Sequence, residues 1–393
     1  MDKVLVAFSG GLDTSFCVKY LKEEKQLEVH TALVNTGGFS DDELSEIAQK
    51  ATTLGSASHA NIDVTQAYFD KCIRYMIYGN ILKNSTYPLS VSSERAFQAI
   101  AIVDYAKQIG ASHIAHGSTG AGNDQVRFDL IFQVIAPEIG IITPIRDLSI
   151  SRQAEIDFLK KHGYDFPWTK AKYSINQGLW GTSVGGVETL HASGELPEEA
   201  YPSQLTKSGS EKLRVDFERG VPVALNGKRM EPVALIRALY ALANPYAVGR
   251  DVHVGDTIIG IKGRVGFEAA APLILIKAHH LLEKHVLTKW QLYWKEQLAT
   301  WYGMLLHEAQ YLEPVMRDIE QFLESTQQNV TGSVELKLQP YRFSTVGCSS
   351  PHDLMSSKFG DYGEISKAFN GDDVKGFTKI LSMQMKIHRA TNG

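Results

Sequence analysis

Sulfur chemistry has little to work with in this chain. Its three cysteines, Cys17, Cys72 and Cys348, are far apart, odd in number, and set neither as C-x-x-C pairs nor beside histidines at ligand spacing. Neither a disulfide framework nor a zinc site follows. Positive charge is not in excess, with 40 Lys and Arg against 44 Asp and Glu. The chain therefore lacks the basic face with which a protein displaces counterions from nucleic acid, and no nucleic-acid partner is expected. No apolar run reaches the length of about 18 residues that spans a bilayer, so no membrane partner is expected either. The first residues read as a strand and not as a charged segment followed by an apolar one, and the expected compartment is the cytoplasm. Internal repeats and low-complexity blocks are missing as well.

What is present is an ordinary globular composition, 44% hydrophobic and 21% charged over 393 residues. That length is generous for one core, and more than one domain is expected. The chain is organised around its first strand and turn. Val4-Leu5-Val6-Ala7-Phe8 is a continuous apolar run, the signature of a strand buried on both faces, and Thr14 to Leu21 reads as a helix. Between them lies Ser9-Gly10-Gly11-Leu12-Asp13-Thr14-Ser15. Such a glycine turn at a helix start can aim successive N–H groups at an anion, most often phosphate. Hydroxyls of Ser9, Thr14 and Ser15 stand beside those donors, while Asp13 or Thr14 as a plain helix cap is the simpler alternative. The kinase-type spacing G-x-x-x-x-G-K-[ST] is missing.

Alternation continues downstream, with strands at Glu28–Val34 and Ala57–Ile62 and helices at Asp41–Leu54, opened by Ser40, and Thr65 to about Tyr78. Repeated β-then-α order implies a parallel sheet with helices on both faces, and ligands beyond the carboxyl ends of its strands. The loops Ser9–Ser15 and Asn35–Phe39 should converge there. A run of hydroxyls from Asn84 to Glu94 precedes a long helix, Ser93 to Ile109, with Ser93 either its cap or a pocket hydroxyl. His113–Ala115 is a short strand that enters a second glycine-rich turn, His116-Gly117-Ser118-Thr119-Gly120-Ala121-Gly122. The helix after it starts near Asn123 or Asp124, which places Asp124 and Arg127 on one face at i,i+3.

The first loop resembles the pyrophosphate loop of the N-type ATP pyrophosphatases. Together with His116–Phe128, Tyr173–Ser183, Asn226-Gly227-Lys228, Val248-Gly249-Arg250 and Ser350-Pro351, it resembles argininosuccinate synthases over nearly the whole chain. That resemblance implies an α/β fold: an N-terminal doubly wound parallel sheet of the adenine-nucleotide α-hydrolase kind over residues 1–165, an α+β synthetase domain over 166–360, and a C-terminal helical arm over 361–393. The first boundary falls near His162–Pro167. Leu213–Phe217 and Val221–Leu225 read as strands, His279 to Gln327 as mostly helical, and Val334–Leu338 with Arg342–Val346 as a hairpin. The arm would bury Phe369, Phe377, Ile380 and Leu381 against another subunit of a homotetramer.

The implied reaction joins citrulline and aspartate, with ATP as co-substrate and Mg2+ travelling with it. By resemblance, Ala7, Phe8, Ser9, Gly10, Gly11, Leu12, Asp13, Thr14 and Ser15 hold ATP, with Val34 and Gly117 as further nucleotide contacts. Thr119, Asn123 and Asp124 match positions that hold aspartate. Asn123, Arg127, Tyr87, Ser92, Ser174 and Ser183 match contacts to citrulline, and Asn123, Asp124 and Arg127 carry the chemistry. Three places depart from the family. Val91 stands for a Thr, Asn176 for an acid, and Gly255 with Phe267 for an acid and a tyrosine at the amino-acid end of citrulline. Glu188 or Asp256 could take over that contact, or the acceptor is an N-acylated citrulline. Other readings are a related amidating or tRNA-modifying enzyme, which would not need the second motif, and a nucleotide sensor that has lost catalysis.

Overall fold

The computed structural model describes residues 2–166, 172–355 and 358–393. Five parallel strands form the first sheet: β1 (Lys3–Ala7), β2 (Glu28–Asn35), β3 (Ser58–Asp63), β4 (His113–Ala115) and β5 (Gly140–Ile142), in the order β3-β2-β1-β4-β5. Side chains alternate between its faces. Val4 and Val6 pack with Phe16, Leu21 and Leu159 from the Leu12–Glu23 and Arg152–Lys161 helices. Leu5, Ala32 and Val34 pack on the other side with Ile102, Ile131 and Phe132 from the Ser90–Ile109 and Asp124–Ile135 helices. Burial on both faces is why β1 carries no polar alternation. The strand order reverses direction between β1 and β4, and the loops after β1, β2 and β4 open on one end of the sheet.

Helix starts follow local chemistry where a cap is available. Ser40 forms a full capping box with Glu43 at the head of Asp41–Thr53. The first helix is different. Its cap is Gly11, without a side-chain bond, so neither Asp13 nor Thr14 caps it. The long helix also departs from expectation, starting at Ser90 behind a left-handed Leu89 and not at Ser93. Ser93 is fully buried within the first turn, where its hydroxyl meets that of Tyr68. The segment from Thr65 to Tyr78 is helical, with a wide turn over Phe69–Ile73. The helix that should close the first domain ends at Lys161; Pro167, expected just past it, lies outside the described residues.

Two antiparallel sheets make the rest. One, β6 (Ser174–Gly178), β7 (Gly181–Gly185), β11 (Arg250–Asp256) and β12 (Lys262–Glu268), runs in the order β11-β12-β7-β6. The other contains β8 (Glu211–Glu218), β9 (Val221–Leu225), β10 (Lys228–Arg229), β13 (Gly332–Gln339) and β14 (Arg342–Ser349), in the order β10-β9-β8-β13-β14. Helices Pro232–Ala243, Ala270–Val286, Lys289–His307 and Pro314–Thr326 pack with the second of these in the largest core. Residues of the Tyr68–Leu89 segment belong to that same core. The chain closes with a two-stranded turn and the helices Gly371–Leu381 and Met383–Asn392, neither of which buries a side chain.

A buried polar network locks the Tyr68–Leu89 segment to these helices. Lys295 Nζ donates to the Tyr78 carbonyl at 2.7 Å and pairs with Glu283 at 2.7 Å, both side chains fully buried. Asn80 Nδ2 donates to the same Oε2 of Glu283 at 2.6 Å, and Gln327 Nε2 donates to its Oε1 at 2.9 Å. Removing one member of such a pair leaves the other charged and dry. Lys295→Met is therefore expected to lower stability by about 3–5 kcal/mol, and Lys295→Met with Glu283→Gln to recover part of the loss, read from urea unfolding midpoints.

Candidate functional site

The three loops at the carboxyl ends of β1, β2 and β4 meet the β6–β7–β12–β11 sheet around a cavity of about 1150 Å³. Ala7, Phe8, Ser9, Gly11, Leu12, Asp13 and Thr14 line it from the first loop, together with Val34 and Gly117. Gly10 and Ser15 do not line it. Gly10 makes the turn with φ +76°, and Ser15 is buried with its hydroxyl donating back to the Gly11 carbonyl at 2.7 Å. The two glycine-rich loops touch through backbone. A Cβ at Gly117 would stand 3.1 Å from Asp13 Cβ and 3.2 Å from Thr14 N. The loop after β2 is tied in by Leu179 N donating to the Thr36 carbonyl at 3.0 Å.

Thr119, Asn123, Asp124, Arg127, Tyr87, Ser92, Ser174 and Ser183 line the same cavity. Ser92 Oγ leans on the Leu89 carbonyl at 3.4 Å, and Tyr87 Oη accepts from Val91 N at 3.2 Å. Asn123 Oδ1 accepts from Ile258 N at 2.9 Å, which ties the second glycine turn to the β11–β12 hairpin. His116, at the head of that turn, pairs with Asp129 at 2.9 Å while Asp129 also receives Arg146 at 2.7 Å.

A chain of buried charges runs through the site. Thr36 Oγ1 donates to Glu94 Oε2 at 2.7 Å, and Arg95 donates to Glu94 Oε1 at 3.1 Å and to Asp124 Oδ2 at 3.0 Å. Arg127 donates to Asp124 Oδ1 at 3.0 Å and, through Nε and Nη2, to the His307 carbonyl at 3.2 and 3.1 Å. Burial alone would raise the Asp124 carboxyl, but Arg95 and Arg127 hold it below its ordinary value. Glu94 has weaker compensation. Burial pushes it up to about 7, against the pull of Arg95 and Thr36. Burial, then Arg127 and Lys83, push His307 down to about 3. Beneath the first loop, burial and the charge of Asp13 raise Glu155.

Glu94, Arg95, His253 and His307 are cavity residues that the sequence motifs do not single out. Glu94 and Arg95 open a helix that is otherwise largely apolar, and two adjacent charges there read as a solvated helix start; only the isolation of this pair from further charge could have drawn notice. Asp256 lines the cavity but pairs with Lys262 at 2.5 Å, and Glu188 does not line it. Asn176 accepts weakly from Arg95 at 3.5 Å.

Residues 3–165 match the family model described as the arginosuccinate synthase N-terminal HUP domain, and residues 173–388 match that of the arginosuccinate synthase C-terminal domain. The chain belongs to the argininosuccinate synthase family. It is 36% identical over 392 residues to the argininosuccinate synthase of Methanocaldococcus jannaschii, covering 99% of this chain and 98% of the relative. It is 36% identical over 394 residues to that of Dictyoglomus turgidum, covering 100% and 98%. Against that of Pyrococcus furiosus it is 35% identical over 386 residues, covering 97% and 93%. Membership makes the chain an ATP-using ligase of arginine synthesis. Among the described residues, no helix is long and apolar enough to cross a membrane.

Two outcomes test the site. Gly117→Ala forces the glycine loops apart and is expected to weaken ATP binding by about tenfold or more, measured by calorimetric titration, while leaving the far-UV spectrum unchanged. Glu94, raised from 4.5 to about 7 in the folded chain, binds more protons folded than unfolded across that window. Its favourable contribution is complete below about pH 4.5 and is lost as pH rises through about 7. The wild type should therefore lose stability relative to Glu94→Gln between those pH values, read from thermal unfolding.

Proposed function

We propose that the chain condenses citrulline with aspartate through a citrullyl-adenylate. The ureido oxygen attacks the α-phosphorus of ATP, the bond to the β-phosphate oxygen breaks, and pyrophosphate leaves. The aspartate amine then attacks the ureido carbon, loses a proton, and expels AMP with the former ureido oxygen, leaving argininosuccinate. A ureido oxygen is a poor leaving group until it is phosphorylated, so the need is for positioning and charge stabilisation and not for a covalent nucleophile on the protein.

The single observation that carries this reading is that Asn123, Asp124 and Arg127 line one cavity with Ser9, Gly11, Asp13, Thr14 and Gly117. In it, the backbone N–H groups of the first loop face the phosphates, and Ser9 and Thr14 add hydroxyls. Thr119, Asn123 and Asp124 receive aspartate, whose ammonium meets the Asp124 carboxylate. Asn123 and Arg127 steady the ureido oxygen as negative charge builds on it, with Tyr87, Ser92, Ser174 and Ser183 along the rest of the acceptor. Magnesium enters as part of the nucleotide substrate, held mainly by phosphate oxygens. No three His, Cys, Asp or Glu side chains cluster as a metal cage among the described residues.

The arm supports the reading of a homotetramer. Phe369, Phe377, Ile380 and Leu381 are all more than half exposed on it, and such surface is ordinarily covered by another subunit.

The test is release of AMP and pyrophosphate from ATP with aspartate and citrulline, each omitted in turn. Release should require both amino acids and fall about 100-fold or more in Asp124→Ala. ATP binding without AMP formation, whatever acceptor is supplied, would overturn the ligase reading in favour of a sensor.

A further inference from the structure

Once the ureido end of the acceptor faces the α-phosphate, its tail must run toward the second sheet. That wall is built by β11, β12 and the end of the Lys289–His307 helix. The strand period places His253 and Gly255 on the cavity side of β11, and Gly263 and Val265 on that of β12, with Gly255 and Gly263 directly paired. His253 is buried, and its ring lies over Tyr87 at 5.0 Å with an interplanar angle of 21°. Tyr87 packs in turn on fully buried Phe267 at 5.4 Å. Residue 255 has no side chain, and a Cβ there would stand 2.6 Å from His253 Nε2. His253 Nδ1 has no partner.

Cations act on both imidazoles of this wall. Burial and Lys83 hold His253 below the ordinary histidine range, and Lys83 and Arg127 act on His307 in the same way. Arg264 lines the wall, its guanidinium committed to the carbonyls of Glu188, His191 and Gly194. The wall's sole acid among the described lining residues, Asp256, alternates off the face that carries His253 and Gly255 and lies largely exposed at the rim beside Lys262. Glu94 is held by Thr36 and Arg95, and Asp124 is the carboxylate that the ligase reading gives to the ammonium of aspartate. A free α-ammonium carried into this pocket would lose water without meeting an available carboxylate, which is costly. An amide has no charge to compensate. Its carbonyl can accept from the neutral imidazole, and its acyl carbons can lie on the paired glycines and the aromatic stack.

We infer that the acceptor is a citrulline whose α-nitrogen is acylated, with the acyl group seated over Gly255 and Gly263 and its carbonyl on His253. This rests on the ligase reading above. The acyl group is released unchanged, as part of an N-acyl argininosuccinate, because the bonds that form and break are those at the ureido carbon and the α-phosphorus.

Pyrophosphate release from ATP and aspartate is measured with free, Nα-acetyl and Nα-succinyl citrulline. The wild type should prefer one or both acyl acceptors over free citrulline by about tenfold or more in kcat/KM, the two acyl arms telling a compact from an acidic substituent. His253→Ala should lose about tenfold on the preferred acyl acceptor, mainly in KM, and so narrow the preference for it over free citrulline. His253→Ala with Gly255→Glu, which makes room for a carboxylate and supplies it, should move the preference toward free citrulline. Should that variant not fold, the wild-type acceptor profile decides alone. Equal or better use of free citrulline by the wild type overturns the acyl assignment and leaves the ligase standing. No release with any of the three overturns both.

Discussion

The site depends on a run of paired charges drawn together where its loops meet. Glu94, Arg95, Asp124 and Arg127 alternate in sign, and each is bonded to the next between Thr36 on one side and the His307 carbonyl on the other. Glu94 and Arg127 are buried, and leaving either without its partner costs several kcal/mol, while the complete series satisfies both. That difference makes the arrangement cooperative. The loop after β2, the start of the long helix, the second glycine turn and the end of the Lys289–His307 helix take their places together. Glu94 is the weak link, since burial outweighs its partners and lifts it to about 7. Here the chain gives up stability to keep a carboxyl at the junction of the loops.

The same coupling explains why the Tyr68–Leu89 segment packs with the large core and not with the first sheet. It carries Tyr87 and leads into the long helix, so its position sets both the acceptor wall and Glu94 with Arg95. Lys295 and Glu283 anchor it in a second dry ion pair far along the chain. Two polar networks, one in the site and one beneath it, hold surfaces that the antiparallel and parallel sheets could not orient by apolar contact alone, because hydrophobic burial is not directional.

What could be read from the residues was what local chemistry determines. The unbroken apolar run of β1, the glycine turns, the capping box at Ser40 and the i,i+3 pair of Asp124 with Arg127 each depend on neighbours within a few positions. Features set by distant partners stayed hidden. Ser93 looks like a cap, yet Leu89 adopts the left-handed conformation and the helix begins earlier, because Ser93 is drawn inward to Tyr68. Ser15 looks like a phosphate ligand, but its hydroxyl bonds backward to the Gly11 carbonyl four residues before it, the same oxygen that accepts from Ser15 N. Arg95 has no motif around it, and only the fold brings Asp124 within 3.0 Å.

The β11–β12 wall shows how two distant changes become one. Gly255 and Phe267 are twelve positions apart, but the hairpin and the strand period set both beside the Tyr87–His253 stack. A side chain at 255 would meet His253 Nε2 where the imidazole now lies, so the ring would have to shift to admit one. A phenol at 267 would bring a hydroxyl into a fully buried position, and the nearest polar atom of Tyr87 is already engaged with Val91. Gly255 without a side chain, Phe267 without a hydroxyl and the buried histidine are consistent as a set. Each removes a reason for a cation to enter, and together they leave a neutral, aromatic and glycine-floored surface at the end of a cavity whose other walls are built for phosphate and for charge.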